Sequence, residues 1–337
     1  MNAKGLINWF LSPEFDRYNM SQYDTANVAR MICDRVALEM VTQPISADEY
    51  KHISVPKIDV NVYDGSVFLK SVLEIYNMLN VVKPKYIKHF LLHGSLADFG
   101  YVCGWSDLDT WVVIDNKACH DPIALVELRN LFSKLNEVLL KIDPIAHHGF
   151  IVVLESDLDN YDSSLLPIEV IKTARNLYGS PDIQIRESGH VIDWIKRFKE
   201  IKNTFVEFEI SGVFKHHAYK GEYLTKDMIK RNEGMYQFKY LIGMVMFLPS
   251  MYYTAIGKPT YKSKSFEPFL KSFPASRPII ECVSKIRTDW GKMERHPYTP
   301  NNIPDWVIDR LPLNYVLQII QLLDSIDSKL LKIAVVM

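Results

Sequence analysis

Two apolar runs, Tyr86 to His93 and Thr110 to Ile114, enclose a connector that opens on Gly94-Ser95 and, eleven residues later, closes on Asp107-Leu108-Asp109. In a strand the side-chain period is two, so Asp107 and Asp109 are expected on one face and Leu108 on the other, turned into a core. Two carboxylates on one face can share a divalent ion. Mg2+ takes oxygen ligands, keeps several waters, and is commonly held by one or two carboxylates together with substrate phosphates. Gly94 lets the backbone approach a triphosphate with no Cβ in the way, and Ser95 offers a hydroxyl and an N–H to its oxygens.

Neither piece carries this reading alone. Asp-x-Asp is common on solvated strand ends, and a lone Gly-Ser says less. The ordered combination is more specific: apolar strand, Gly-Ser, a loop with Gly100 and Gly104, then Ser106-Asp107-x-Asp109 and a second apolar strand.

The run His93-Gly94-Ser95-Leu96-Ala97, followed by Gly104-Trp105-Ser106-Asp107-Leu108-Asp109-Thr110, resembles the signature of the DNA-polymerase-β-like nucleotidyltransferase superfamily. Ser106 just before the first aspartate strengthens the match. The resemblance covers about twenty residues. It implies a mixed α/β catalytic core and metal-assisted transfer of a nucleoside monophosphate from an NTP to an acceptor, with Mg2+, or Mn2+ as the alternative ion, held by Asp107 and Asp109. Gly94, Ser95 and Ser106 would then contact nucleotide.

The chain has 337 residues, 48% of them hydrophobic, enough for one large or two modest cores. A formal net charge of −1 and a pI near 6.8 do not call for a polyanion or an anionic membrane, and favour a small-molecule acceptor over nucleic acid. Cys33, Cys103, Cys119 and Cys282 stand apart and are expected as free thiols in a reducing compartment. The N-terminal apolar run is too short for a signal peptide, and no stretch approaches the roughly 18 apolar residues of a membrane span. A soluble, cytoplasmic protein is expected.

Helical spacing is read from Ser21 to about Val41 and from Ser66 to Leu79, placing two helices before the core. Asp121-Pro122 fits a cap with proline at the first helical position, opening a helix that Asp143-Pro144 ends. Ile145 to Leu154 then reads as a third strand. In the superfamily this strand supplies another carboxylate, but here it carries His147-His148-Gly149, and Glu155 and Asp157 lie too far along to substitute. His147 or His148 is therefore expected to face the aspartates as general base or extra metal ligand. A role capping the strand, or loss of catalysis with nucleotide binding retained, stands beside that reading.

The acidic stretch from Glu155 to Ser164 lacks the glycine and terminal glutamate of an EF-hand and reads as a solvated loop. A short helix from Pro167 is expected to run into Ala174-Arg175-Asn176-Leu177-Tyr178-Gly179, which resembles the A-R-x-L-Y-G segment of small-molecule nucleotidyltransferases. The turn-rich Gly179-Ser180-Pro181-Asp182 marks a boundary, and the chain beyond it is mostly helical, with one last long helix spanning Val307 to Ile333. In this helical part, Tyr252 to Phe266 is similar to an element of aminoglycoside adenylyltransferases whose lysine reaches the triphosphate, a role that falls to Lys262 or Lys264. Arg287 is a weaker candidate.

The expected architecture is an α/β nucleotidyltransferase core, a mixed sheet with flanking helices, plus a C-terminal α-helical bundle. Residues 1–82 would be N-terminal helices packing on the core, 83–180 the catalytic core, and 181–337 a helical domain completing the nucleotide and acceptor cleft. The partners would be an NTP, ATP before CTP, and a small-molecule acceptor. A transferase acting on RNA or protein and a non-catalytic nucleotide-binding module remain open alternatives, and the oligomeric state is not readable.

Overall fold

The chain starts with α1 (Ala3–Leu11), whose first turn is capped by the Asn2 side chain accepting from the Gly5 N–H at 2.8 Å. α2 (Pro13–Asp16) and α3 (Gln22–Glu39) come next. The structure, a computed structural model, describes residues 2–39, 49–63, 69–142, 149–163, 166–188, 193–215, 223–260, 263–293 and 302–336. The chain divides into two compact units, residues 1–101 with 106–190, and residues 102–105 with 191–337.

In unit 1, β1 (Lys51–Ser54) precedes α4 (Lys70–Val82), which ends where Lys83 turns left-handed at φ 49° and Pro84 forbids continuation. After it come β2 (Ile87–His93), the short α5 (Gly94–Ala97) and β3 (Asp109–Ile114). α6 (Pro122–Ile142) begins as the sequence predicts, with the Asp121 carboxylate accepting from the Ile123 N–H at 2.9 Å. β4 (Ile151–Leu154), α7 (Ile168–Lys172), β5 (Arg175–Gly179) and β6 (Asp182–Ile185) complete the unit.

The main sheet has the order β4-β3-β2-β5 and is mixed: β3 and β4 are parallel, across the α6 connection, and the other pairs antiparallel. β2, β3 and β4 are buried along nearly their whole length, which suits their mostly apolar composition, while the edge strand β5 is partly exposed. Phe90, Leu92, Val112 and Ile114 join the core made with α1, α3, α4 and α6, while Leu91, Trp111 and Val113 pack toward β1, β6 and α7.

Arg175 to Gly179 is an edge strand, not the tail of a helix as the sequence suggested. Its pairing with β2 overrides local preference. Gly179 is required there, since a Cβ at its φ of +84° would lie 2.0 Å from the Lys88 carbonyl oxygen. β1 and β6 form a separate antiparallel pair that the sequence did not signal.

Unit 2 holds α8 (Trp194–Ser211), the β7 (Val213–Lys215) and β8 (Tyr223–Thr225) hairpin, α9 (Lys226–Lys230), α10 (Met235–Ala255), α11 (Ser263–Ser272), α12 (Arg277–Met293), α13 (Asp305–Ile308) and α14 (Tyr315–Val336). Phe205, Phe238, Trp290 and Leu323 anchor its core, and Trp105 packs edge-on against Trp290 with ring centroids 5.1 Å apart. The single last helix expected from Val307 is broken between α13 and α14. Pro312 has no N–H to donate and disfavours helical backbone at Leu311. Among the described residues no helix is long and apolar enough to cross a membrane.

Candidate functional site

β2 ends by delivering His93 opposite Asp109, the first residue of β3, and turns at Gly94 with φ +71°. A Cβ built on Gly94 would lie 2.0 Å from Oδ2 of Asp109 and 2.9 Å from its Cγ. The Asp109 carboxylate therefore lies over the Gly94 α-carbon. Only glycine satisfies both that approach and the left-handed backbone. Leu108 is buried and Asp107 and Asp109 on either side of it are half-buried, but β3 begins only at Asp109, so Asp107 and Leu108 lie ahead of the strand. Ser95, which follows Gly94, and Ser106, which precedes Asp107, are both buried.

The short turn of α5 is fastened from a distance. The Tyr63 hydroxyl donates to the Leu96 carbonyl at 2.7 Å, and burial pushes its phenol up to about 12 against the field of Arg175. Arg175 stands opposite Leu92 on the neighbouring strand and donates to the carbonyls of Ala174 at 3.2 Å and Thr173 at 3.4 Å. Asp98 shapes the next loop by accepting from the Gly100 N–H at 2.9 Å. Sequence reasoning missed Tyr63, which lies 33 residues from its partner in a stretch with no motif.

β4 supplies no carboxylate at the level of the aspartates. Trp111 is opposite Ile151, and continuing that parallel register two residues back brings Gly149 level with Asp109. Glu155 and Asp157 lie beyond the other end of β4. Asp157 accepts from the Leu154 N–H at 2.8 Å and pairs with Lys4 at 3.2 Å, and Glu155 pairs with Lys88 at 3.5 Å. His147, His148 and Lys262 lie outside the described residues. Lys264 is exposed on α11, and Arg287 is half-buried in α12.

The carboxylate shown against Gly94 is that of Asp109, and Asp107, half-buried two residues earlier, is the second candidate donor. Among the described residues no group of three or more His, Cys, Asp or Glu side chains converges as a closed metal cage. One or two carboxylates would suit Mg2+ better than a cage-seeking ion, because Mg2+ completes its octahedron with waters and substrate phosphates. The cradle at Gly94, where a Cβ would collide with one of the two acids, is the structural observation behind this fit. No protein-family model matches this chain, and no curated protein does.

Proposed function

We propose that the protein is a nucleotidyltransferase, a cytoplasmic enzyme that moves a nucleoside monophosphate from an NTP, ATP before CTP, to a small-molecule acceptor with release of pyrophosphate. The observation that carries the reading is the Asp109 carboxylate resting on the Gly94 α-carbon at the exit of β2. Asp107 and Asp109 would hold Mg2+, or Mn2+ in its place. The ion, when bound, lowers the charge on the phosphoryl oxygens and on the departing pyrophosphate.

The chain's own residues bind and orient. The Gly94-Ser95 turn offers backbone N–H groups and the Ser95 hydroxyl to the β and γ phosphates, with Tyr63 fixing the turn through Leu96. Ser106 sits next to the first acid and assists in holding the nucleotide. His148 or His147 takes the proton of an acceptor hydroxyl or amine, which a neutral imidazole can do near neutral pH.

Gly149, which the register of β4 continued two residues back brings level with Asp109, favours a second reading, a module that binds nucleotide without turning it over. Calorimetry with each NTP and Mg2+, followed by pyrophosphate release across a panel of sugars, sugar phosphates and amino alcohols, separates the two. Turnover lost in Asp109→Asn supports the enzyme, and NTP binding with no turnover across the panel supports the module. Failure of every NTP to bind would sink both.

A further inference from the structure

At the other end of the main sheet, four residues back along β2 from His93 and so about 13 Å away, a cavity of about 350 Å³ opens beside His89. It lies wholly within unit 1 and is lined by Tyr50, His89, Asn116, Glu155, Asp159 and Gln184 among others. Its volume is at the lower end of what small-molecule sites enclose. Nothing in the nucleotidyl-transfer reading uses it.

The imidazole and the carboxylates of the walls act as acceptors, while Asn116, Ser156 and Gln184 add neutral groups that can also donate. His89 is 9% exposed, and its Nδ1 lies 2.8 Å from the Ser180 carbonyl, which can only accept. Nδ1 therefore carries the proton, and Nε2 is left as a lone-pair acceptor with no protein partner among the described residues. Tyr50 likewise spends its hydroxyl on the protein, donating to Oδ1 of Asp159 at 2.5 Å. The Glu155 and Asp159 carboxylates each keep an oxygen for a visitor.

The nearby cations are already engaged. Lys88 lies between Asp115 at 3.3 Å and Glu155 at 3.5 Å, and the Arg186 guanidinium stacks over the Tyr50 ring at 4.1 Å. An anion entering would meet two carboxylates, and the Asn116 oxygen, which accepts from the Ser156 N–H at 3.1 Å, leaves its NH2 group as a neutral donor. The side chains do not converge as a metal site among the described residues. A ligand rich in N–H donors and carrying positive charge satisfies His89, Glu155 and Asp159 together.

We propose that this cavity is a binding site for a small organic cation, a primary ammonium or guanidinium compound, separate from the aspartate pair. The nearly buried His89 imidazole accepts one N–H of the ligand, and Glu155 and Asp159 take the others.

The test is calorimetric titration of the full-length protein with agmatine, which carries both a guanidinium and an ammonium, with putrescine, and with sorbitol as an uncharged polyol. Saturable binding of at least one cation at millimolar concentration or tighter is expected, with sorbitol inert. Binding should weaken at least tenfold in the Glu155→Gln/Asp159→Asn double variant and in His89→Phe, and stay unchanged in Asp109→Asn. The Asp109→Asn arm keeps this outcome independent of whether the protein transfers nucleotides. Circular dichroism checks that the variants fold, and the double variant alters only side chains at the cavity rim. No saturation by either cation, equal binding of sorbitol, or cation binding that survives the double variant would each overturn the proposal.

Discussion

The α-carbon of Gly94 lies beneath the carboxylate of Asp109, so close that a β-carbon would stand 2.0 Å from Oδ2. The pair is a close approach between the exit of one strand and the entry of its antiparallel neighbour. Gly94→Ala must move the carboxylate, and it must also place alanine at φ +71°. The backbone strain alone costs about 1–3 kcal/mol. A displacement of an acid by an ångström can cost about a hundredfold in rate. Pyrophosphate release should therefore fall at least about that far, with a lowered thermal midpoint. Wild-type turnover in Gly94→Ala would mean that the carboxylate position is not used.

Asp107→Asn and Asp109→Asn test the same pair from the acid side. Each would remove the charge of one proposed ligand while keeping the side-chain shape, and both positions are half-buried, so the fold should persist. Loss of pyrophosphate release should be accompanied by loss of Mn2+ binding, followed by electron paramagnetic resonance in the presence of NTP. Binding of Mn2+ with unchanged affinity in both variants would remove these residues from the metal.

Tyr63→Phe probes how firmly the Gly94–Ala97 turn must be held. The substitution removes the 2.7 Å bond to the Leu96 carbonyl inside the core and leaves that carbonyl unsatisfied, at a cost of about 1–3 kcal/mol. Because the turn carries Ser95, KM for the NTP should rise more than kcat falls. A change in stability with KM untouched would make Tyr63 a core residue and nothing more.

How much of this was legible in the sequence differs from residue to residue. The strands at Ile87–His93 and Asp109–Ile114 and the helix opening at Asp121-Pro122 were readable, because apolar runs, a cap and a proline are local signals. The alternating burial of Asp107, Leu108 and Asp109 fits the sequence pattern, though the strand itself begins only at Asp109. The edge strand at Arg175–Gly179 was not readable, since only its pairing with β2 makes it a strand. Tyr63 and the cavity beside His89 were hidden for a related reason. Their partners lie 33 and 91 residues away, and no periodicity within a window of one helix or strand reports such a distance. Pro312 was in plain view, but a strong apolar stripe on both sides of it outweighed the break in the sequence reading.

The burial of His89 makes stability depend on pH in a defined window. Burial holds its pKa below the ordinary 6.5, against the opposing pull of the Ser180 carbonyl and Glu155. In the unfolded chain the ring titrates near the ordinary value, so between the two pKa values the unfolded state binds more protons. Folding stability should be unaffected by His89 above that window, fall as pH drops through about 6.5, and level off below the folded-state pKa. Hydrogen-exchange protection of β2 measured from pH 7.5 to 5 in the protein and in His89→Gln isolates this contribution within unit 1 from the other histidines. Identical slopes would show that the ring is not held neutral.

Asp16 gathers three donors from α6, and the most consequential is buried. Arg129 is buried and pairs with the Asp16 carboxylate, which also accepts from Ser133 at 2.9 Å and Asn136 at 3.1 Å. The Arg129 guanidinium stands over the Phe15 ring at 4.9 Å. Removing one partner of a buried pair leaves an uncompensated charge and costs about 3–5 kcal/mol. Asp16 is partly open to solvent, so Asp16→Ala is expected at about 2–3 kcal/mol after screening. Arg129→Met removes the charge itself and fills similar volume, so the Asp16→Ala/Arg129→Met double variant should be more stable than Asp16→Ala alone. Hydrogen exchange in α6 reads this within unit 1, which avoids treating a chain of two units as one cooperative transition. If the double variant is no better protected than the single one, the cost resides in lost packing of α2 against α6 rather than in the stranded guanidinium.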